Sequence, residues 1–289
     1  MLRLMVLGIA TGLAAGANAA EPQRVIIPSL HSDGVALTGY FQPVEAAAGG
    51  RTPAIVLMHG CGGPVTQSGR IRARERSWME RFAQAGYASL LVDSFNPRGA
   101  RTTCGAPKPG LSSIEDRPFD AYAGLRWLRA RADIDGAKVA LIGWSHGAES
   151  VLSAVSRTMA DRIGGGSGGF VSAVAFYPGC RRLQSAPYRV TTPLMMHLGQ
   201  ADDWTPMRFC EALSRGAVNA GDDVTRFVYP GAHHGFDQPG GEVRERRLPS
   251  GRVVHSGPDA PSRALAVERT MDAFSKALGG GEAAASKLR

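Results

Sequence analysis

The feature that most constrains this 289-residue chain is the alternation of short apolar runs with stretches of helical period. The apolar runs are rich in Val, Ile, Leu and Ala, which is typical of strands buried on both faces. We predict strands at residues 24–30, 36–42, 54–58, 88–92, 138–142, 172–177, 194–198 and 224–229. The first two strands flank the turn Ser32-Asp33-Gly34, which predicts an antiparallel start. The rest of the pattern predicts an α/β class with a mostly parallel sheet and helices on both faces.

Helices are predicted between these strands at residues 69–85, 116–131, 146–159, 206–220 and 263–278. The segment 238–262 is polar and rich in Pro and Gly, which predicts a loop. No linker and no internal repeat divides the pattern. We therefore predict one domain over residues 21–289.

Residues 1–20 have the pattern of a cleavable secretory signal. Arg3 supplies a positive start, the run from Leu4 to Ala17 is apolar and uncharged, and Ala17-Asn18-Ala19 offers small residues for a signal peptidase. A transmembrane anchor is the alternative, but this run is too short to cross about 30 Å comfortably. We predict cleavage after Ala19 or Ala20, a periplasmic or secreted protein, and no stable membrane anchor.

Composition excludes several other classes. The hydrophobic fraction is 44% and the charged fraction 20%, which fits neither a disordered chain nor a multi-span membrane protein. The formal net charge is +8, but the basic residues are dispersed, so we predict no nucleic-acid partner. The four cysteines form no Cys-x-x-Cys pair and have no histidine at ligand spacing, so we predict no metal site.

The pattern Gly-x-Ser-x-Gly occurs twice, at residues 143–147 and 165–169. Ser145 follows the apolar strand and precedes a good helix-forming segment. A sharp strand-to-helix turn with glycine on both sides presents a serine hydroxyl at the edge of a sheet. Ser167 lies among glycines with no strand before it, which predicts a loop without a catalytic role.

A serine hydroxyl needs a base to become a nucleophile, and the base needs an acid to orient it. In a sheet of this kind these groups follow the serine in the order Asp, His, each in a loop after a later strand. The chain supplies Asp202 and Asp203 after the strand at 194–198, and His233 and His234 after the strand at 224–229. The order predicts an acid and a base but does not choose within either pair.

With these motifs the chain resembles the dienelactone hydrolase family of α/β-hydrolases from about residue 25 to 278. The matching pieces are His59-Gly60-Cys61-Gly62-Gly63, Gly143-Trp144-Ser145-His146-Gly147, Gly199-x-x-Asp202 with Pro206, and His234-Gly235-Phe236. The resemblance implies the α/β-hydrolase fold, with Ser145 as nucleophile, Asp202 as acid and His234 as base. Dienelactone hydrolases proper have cysteine where this chain has Ser145, so the resemblance implies ester or acyl hydrolysis and leaves lactone specificity open.

Other site residues follow from position on the implied fold. The backbone N–H groups of Cys61 and His146 are the expected donors of an oxyanion hole. Trp204 is a candidate wall of the acyl pocket. Arg98 and Arg101 follow the fourth strand and are candidates to hold a substrate carboxylate.

If the chain is exported to an oxidising compartment, the four cysteines are expected to form disulfides. Cys61 and Cys104 follow two strands that are sheet neighbours on the implied fold, and Cys180 and Cys210 follow another neighbouring pair. Pairing Cys61 with Cys104 and Cys180 with Cys210 therefore needs the least backbone movement. The alternative is that Cys61 stays reduced beside the active site.

The leading hypothesis is an exported serine hydrolase that acts on a small carboxylic ester and needs no cofactor. The alternatives are a serine peptidase of the prolyl oligopeptidase type, an extracellular polyester or cutin hydrolase, and a non-catalytic binding protein on the same fold. The sequence predicts neither the substrate nor the oligomeric state.

Overall fold

The computed structural model describes residues 21–46, 50–105, 110–164 and 169–279. Ten strands are described: β1 Gln23–Ile27, β2 Leu37–Gln42, β3 Thr52–Met58, β4 Ala88–Asp93, β5 Ile134–Trp144, β6 Ala173–Phe176, β7 Leu194–Gly199, β8 Val224–Tyr229, β9 Arg244–Arg247 and β10 Val253–Ser256. Strands β1 to β8 form one sheet in the order β1-β2-β4-β3-β5-β6-β7-β8. The pairs β1/β2 and β2/β4 are antiparallel and the others parallel, which confirms the predicted sheet. The predicted leader 1–20 and Ser167 lie outside the described residues.

Helices cover both faces of this sheet. They are α1 Ala73–Gln84, α2 Arg117–Arg129, α3 His146–Ala154, α4 Arg157–Gly164, α5 Arg208–Asn219 and α6 Ala260–Leu278. Helices α1 and α6 pack on one face through residues such as Phe82 and Phe274, and α2 to α5 contribute to the core on the other. Val56 and Leu57 of β3 face opposite cores, as expected for a strand buried on both sides. Within the described ranges no helix is both long and apolar enough to cross a membrane.

The single helix predicted over residues 146–159 is two helices in the structure, because the helical hydrogen bonding is interrupted at Ser156. The Ser156 hydroxyl accepts a hydrogen bond from the Met159 N–H at 3.3 Å, which caps the start of α4. It also donates to the Ser153 carbonyl at 2.7 Å, so the same side chain contacts the end of α3. A serine that bonds the backbone locally competes with a continuous helix.

The prediction of an irregular loop over residues 238–262 is wrong. Strands β9 and β10 form an antiparallel hairpin in this segment, and α6 begins at Ala260. The Gly257 N–H donates to the His234 carbonyl at 2.9 Å, so the end of the hairpin is joined to the loop after β8. The hairpin therefore stands beside the carboxyl edge of the main sheet, where the loops after β3 to β8 also lie.

Candidate active site

Ser145 occupies a strained turn between β5 and α3. Its backbone has φ 52° and ψ −118°, a conformation that is rare for a residue with a side chain. The turn is closed by two glycines at positions that have no room for a Cβ. A Cβ on Gly143 would lie 2.5 Å from the Gly147 carbonyl oxygen, and one on Gly147 would lie 2.0 Å from the Met58 carbonyl oxygen. The glycines of the motif are therefore required for the turn that holds Ser145 at the sheet edge.

The structure brings together the three side chains that the resemblance selected. Ser145 Oγ lies 2.9 Å from Nε2 of His234, in the loop after β8. Nδ1 of the same ring lies 2.8 Å from Oδ2 of Asp202, in the loop after β7. His234 and Asp202 are each only 5% exposed, so water competes little for these hydrogen bonds. The arrangement can deliver the serine proton to Nε2 while Asp202 fixes the proton on Nδ1.

The Asp202 carboxylate is held by its own loop. Its Oδ1 accepts hydrogen bonds from the backbone N–H groups of Trp204 and Thr205 at 2.9 and 2.8 Å. The Thr205 hydroxyl lies 2.9 Å from Oδ2 and 3.0 Å from the Tyr177 carbonyl oxygen. Thr205, which the sequence reading did not single out, thus ties the acid to the loop after β6.

The adjacent candidates Asp203 and His233 have other partners. Asp203 is bonded to His255 of the hairpin, with the ring Nδ1 and the backbone N each 2.8 Å from its carboxylate. His233 Nδ1 donates to the Ala201 carbonyl at 3.0 Å. The geometry therefore places Asp202 and His234, and neither neighbour, in line with Ser145.

The glycine-rich turn after β3 lies against Ser145. A Cβ on Gly60 would lie 3.8 Å from the Ser145 Cβ. The Cys61 carbonyl accepts a hydrogen bond from the Thr103 N–H at 2.8 Å, and a disulfide joins Cys61 to Cys104. His146 is the first residue of α3, so its N–H is among those that a helix leaves without an internal partner. The two segments that carry the expected oxyanion donors thus lie on either side of Ser145 in the chain fold, one in contact with it and one following it directly.

Both disulfides have the predicted connectivity. Cys61 and Cys104 have their Cα atoms 4.9 Å apart, and Cys180 and Cys210 have theirs 5.0 Å apart. The first bridge lines the cleft at Ser145, whereas both cysteines of the second are buried in the core.

A fully buried arginine lies behind the glycine-rich turn. Arg117, the first residue of α2, donates to the His59 carbonyl at 2.9 Å and to His146 Nδ1 at 2.8 Å. Burial lowers the pKa of Arg117 to about 10 and that of His146 to about 3, so at neutral pH the arginine is charged and the imidazole neutral. The sequence reading missed Arg117, although a cation at a helix N-terminus opposes the helix dipole and is a signal of another role.

A second buried network supports the site from the other face of the sheet. Asp237 accepts hydrogen bonds from the indole N–H groups of Trp78 and Trp144 at 3.0 and 2.8 Å and from the Tyr177 hydroxyl at 2.5 Å. Trp144 precedes Ser145, and the Tyr177 ring lies 4.6 Å from that of His234. Asp237 thus joins the residues behind the nucleophile to those behind the base.

An open cleft of about 910 Å³ leads to Ser145 and His234. Trp204 is among the residues that line it, with its ring 4.8 Å from that of His234. Four arginines also line the cleft, namely Arg72, Arg74, Arg101 and Arg246. The acid among the lining residues is Glu75, which is buried and paired with Arg74.

The prediction that Arg98 could hold a substrate carboxylate is wrong, because its guanidinium is already bonded within the protein. Its guanidinium makes two bonds of 2.9 Å to the buried carboxylate of Asp120, and it also donates to Asp33 and to the Ser94 carbonyl. These bonds fix the loop after β4. Arg101 does line the cleft, where its side chain donates to the Gln67 carbonyl at 3.4 Å.

Across the described ranges, no three His, Cys, Asp or Glu side chains are grouped so that they could hold a metal ion. The chemistry that the site offers is that of the serine, the imidazole and the backbone donors beside them.

Comparisons with known proteins bear on the family and the fold of the chain. A model of the dienelactone hydrolase family matches residues 38–278. An uncharacterized protein of Mycobacterium tuberculosis is 29% identical over 220 residues, which are 70% of this chain and 69% of that protein. Solved structures that share the fold include the two that follow. A dienelactone hydrolase-like promiscuous phosphotriesterase from metagenomic libraries covers 89% of this chain and 99% of its own, with 20% identity and a TM-score of 0.64. Esterase 2 of Thermogutta terrifontis, with propionate bound, covers 89% and 94%, with 18% identity and a TM-score of 0.59.

Proposed function

Because the chain belongs to the dienelactone hydrolase family and is a carboxylic ester hydrolase, we propose that it cleaves esters through an acyl-enzyme on Ser145. The observation that carries the proposal is the unbroken line of hydrogen bonds from Ser145 Oγ through His234 to Asp202, at 2.9 and 2.8 Å. A serine, a base and an orienting carboxylate in this geometry are the parts that nucleophilic acyl transfer needs.

The reaction has two halves. His234 Nε2 takes the proton of Ser145 Oγ as the oxygen attacks the ester carbonyl carbon. The N–H groups of Cys61 and His146 donate to the carbonyl oxygen, which becomes negatively charged. Nε2–H then protonates the alcohol oxygen as its bond to the carbonyl carbon breaks. The alcohol departs and the acyl group stays on Ser145. A water molecule attacks this acyl group while Nε2 takes its proton, and the carboxylic acid leaves as Oγ regains the proton. Asp202 stays ionised and stabilises the imidazolium in both halves.

The first test is the nucleophile. Ser145→Ala removes the oxygen that forms the acyl-enzyme, so kcat for p-nitrophenyl butyrate should fall by about 10⁴-fold or more. A fluorophosphonate probe should label the wild-type protein at Ser145 and leave the variant unlabelled. Ser167→Ala is the matched control, since it alters the other Gly-x-Ser-x-Gly serine, and it should retain wild-type kcat. Absence of labelling in the wild type would favour a non-catalytic binding protein, and an aminoacyl anilide in the same assay distinguishes the peptidase alternative.

The arginines of the cleft support a preference for esters that carry a negative charge. Arg101 and Arg246 both line the cleft that leads to Ser145, and the Arg246 guanidinium lies over the Trp204 ring at 5.4 Å, so a substrate in this cleft meets positive charge. Both side chains are exposed, so each adds only a modest attraction that salt screens.

A matched pair of substrates tests this preference. The p-nitrophenyl esters of butyric and succinic acid differ in that a carboxylate replaces a methyl group. We expect a higher kcat/KM for the succinate, and we expect Arg101→Gln and Arg246→Gln each to lower it by about threefold. The butyrate should be unaffected by either change. Equal effects on both esters would contradict charge recognition and point to a change of cleft shape.

A further inference from the structure

Arg117 connects the two segments that carry the proposed oxyanion donors. Its Nη2 donates to the carbonyl of His59, the residue that opens the glycine-rich turn, and its Nη1 donates to the ring of His146, which opens α3. Its Nε donates to the Ser94 hydroxyl at 3.1 Å. The planar guanidinium therefore uses all three nitrogens on groups at the carboxyl ends of β3, β4 and β5.

The two bridged segments are in direct contact. A Cβ on Gly147 would lie 2.5 Å from the same His59 carbonyl oxygen that Arg117 binds. An oxyanion hole works only if its donors lie about 2.7–3.1 Å from the oxygen that becomes charged. A relative shift of the turn and the start of α3 would separate the Cys61 and His146 donors, and the guanidinium is placed to prevent it.

The charge of Arg117 is also unusual. The guanidinium is completely buried, and the acceptors of its hydrogen bonds are neutral. The acids that influence it have partners of their own: Asp120 binds Arg98, Glu149 accepts from Ser113, and Asp93 accepts from Asn96. A buried positive charge beside the oxyanion hole acts in a low-dielectric setting, where it attracts a developing negative charge more strongly than in water.

We propose that Arg117 positions the two oxyanion donors by bridging His59 and His146, and that its buried charge favours the negative oxygen formed between them. Arg117 acts through these residues and does not itself contact the substrate. This inference rests on the proposed function, because it assigns a role within the same acyl transfer.

The test compares Arg117→Met and Arg117→Lys with wild type on p-nitrophenyl butyrate. Methionine removes both the bridge and the charge, so kcat should fall by about a hundredfold, with KM changed by less than about threefold. Lysine keeps the charge, but its single nitrogen cannot reach both acceptors, so kcat should fall by about tenfold. Phenylboronic acid forms a tetrahedral anion on an active-site serine, and its inhibition constant should rise in parallel with the loss of kcat.

Arg129→Met is the matched control. Arg129 is at the other end of α2 and donates to the carbonyls of Gly136 and Gly169, so its loss should lower the melting temperature without changing kcat or boronate affinity. A folded Arg117→Met or Arg117→Lys protein with wild-type kcat and boronate affinity would overturn this inference and leave the proposed function standing. If Arg117→Met does not fold, Arg117→Lys decides. A wild-type protein that neither hydrolyses esters nor reacts with the fluorophosphonate would instead overturn the proposed function, and the inference with it.

Discussion

His233 and His234 are neighbours in the chain, yet their rings serve different elements. The strand β8 has ended before them, so the backbone is free to turn one ring toward Ala201 and the other toward Ser145. The same divergence separates Asp202 from Asp203. At this scale a residue's role depends on the direction of its side chain, which a sequence motif does not specify.

This divergence gives a prediction for the base. His234→Ala removes the group that accepts the serine proton, so kcat/KM should fall by about 10³-fold or more, whereas His233→Ala should cost less than about threefold. The measurement is kcat/KM of the two variants and wild type on p-nitrophenyl butyrate. Similar losses in both variants would contradict the assignment.

Each residue of the proposed triad has a mark in the sequence, although chain order left two acids and two bases open and the family resemblance chose Asp202 and His234 among them. Ser145 has glycines around it and a strand before it, and the acid and base follow later strands. Arg117 had only the weak mark of a cation at the start of a predicted helix, and Asp237 had none. Asp237 binds groups 159, 93 and 60 residues away in the chain, and only the folded sheet brings such groups together.

Among the elements, the strands of the main sheet were predictable and the hairpin was not. Strands buried on both faces are runs of apolar residues, so their hydrophobicity alone predicts them. Strand β9 is Arg-Glu-Arg-Arg with every residue exposed, and it pairs with β10 alone. Such a strand is stabilised by backbone hydrogen bonds and carries no periodic apolar signal.

The two disulfides should differ in what they do for the elements they join. They close segments of 43 and 30 residues, for which chain entropy gives a stabilisation of about 4 kcal/mol each. Replacing Cys61 and Cys104 by serine frees the glycine-rich turn, so kcat should also fall, by about tenfold. Replacing Cys180 and Cys210 should lower stability with kcat little changed. Thermal melts and kcat of both double variants check this, and an equal loss of kcat in both would contradict it.

For the whole molecule, buried imidazoles predict sensitivity to acid. Burial lowers the pKa of His146 and of His197 to about 3, and that of His59 well below its usual value. The unfolded chain takes up protons on these rings below about pH 6.5, but the folded protein does not. The stability that these neutral rings contribute is therefore complete above this pH. It decreases as the pH falls from about 6.5 toward 3.

His197 offers a direct test of that acid sensitivity. Its ring is hydrogen-bonded to Tyr229 and Thr270 in the core. His197→Phe should lower the pH dependence of the unfolding free energy between about pH 4 and 6 by about 1.4 kcal/mol per pH unit. Urea titrations at several pH values measure this slope. Leu213→Ala, a core change without a titrating group, should lower stability by about 2–5 kcal/mol at every pH and leave the slope as it is.

Export also remains a prediction for the whole chain. If the segment 1–20 is a cleavable signal, the mature protein should begin at Ala20 or Glu21. Peptide mapping of protein isolated from the periplasm or medium, without reduction, reads the N-terminus and the two disulfide-linked peptides together. An intact Met1 in that protein would contradict cleavage.

The hairpin β9–β10 is a segment that can vary in sequence independently of the main sheet. It lies in the chain between the His234 loop and α6 and is not part of the main sheet. Its length and side chains can therefore vary without altering any of the eight strands of that sheet. It is held at the cleft by His255 on Asp203, by Arg252 on the carbonyls of Asp203 and Trp204, by Arg246 over the Trp204 ring and by the backbone bond of Gly257. Substrate preference can therefore change at this one wall of the cleft while the sheet is kept, and a library at residues 243–251, which leaves Arg252, His255 and Gly257 in place, tests this.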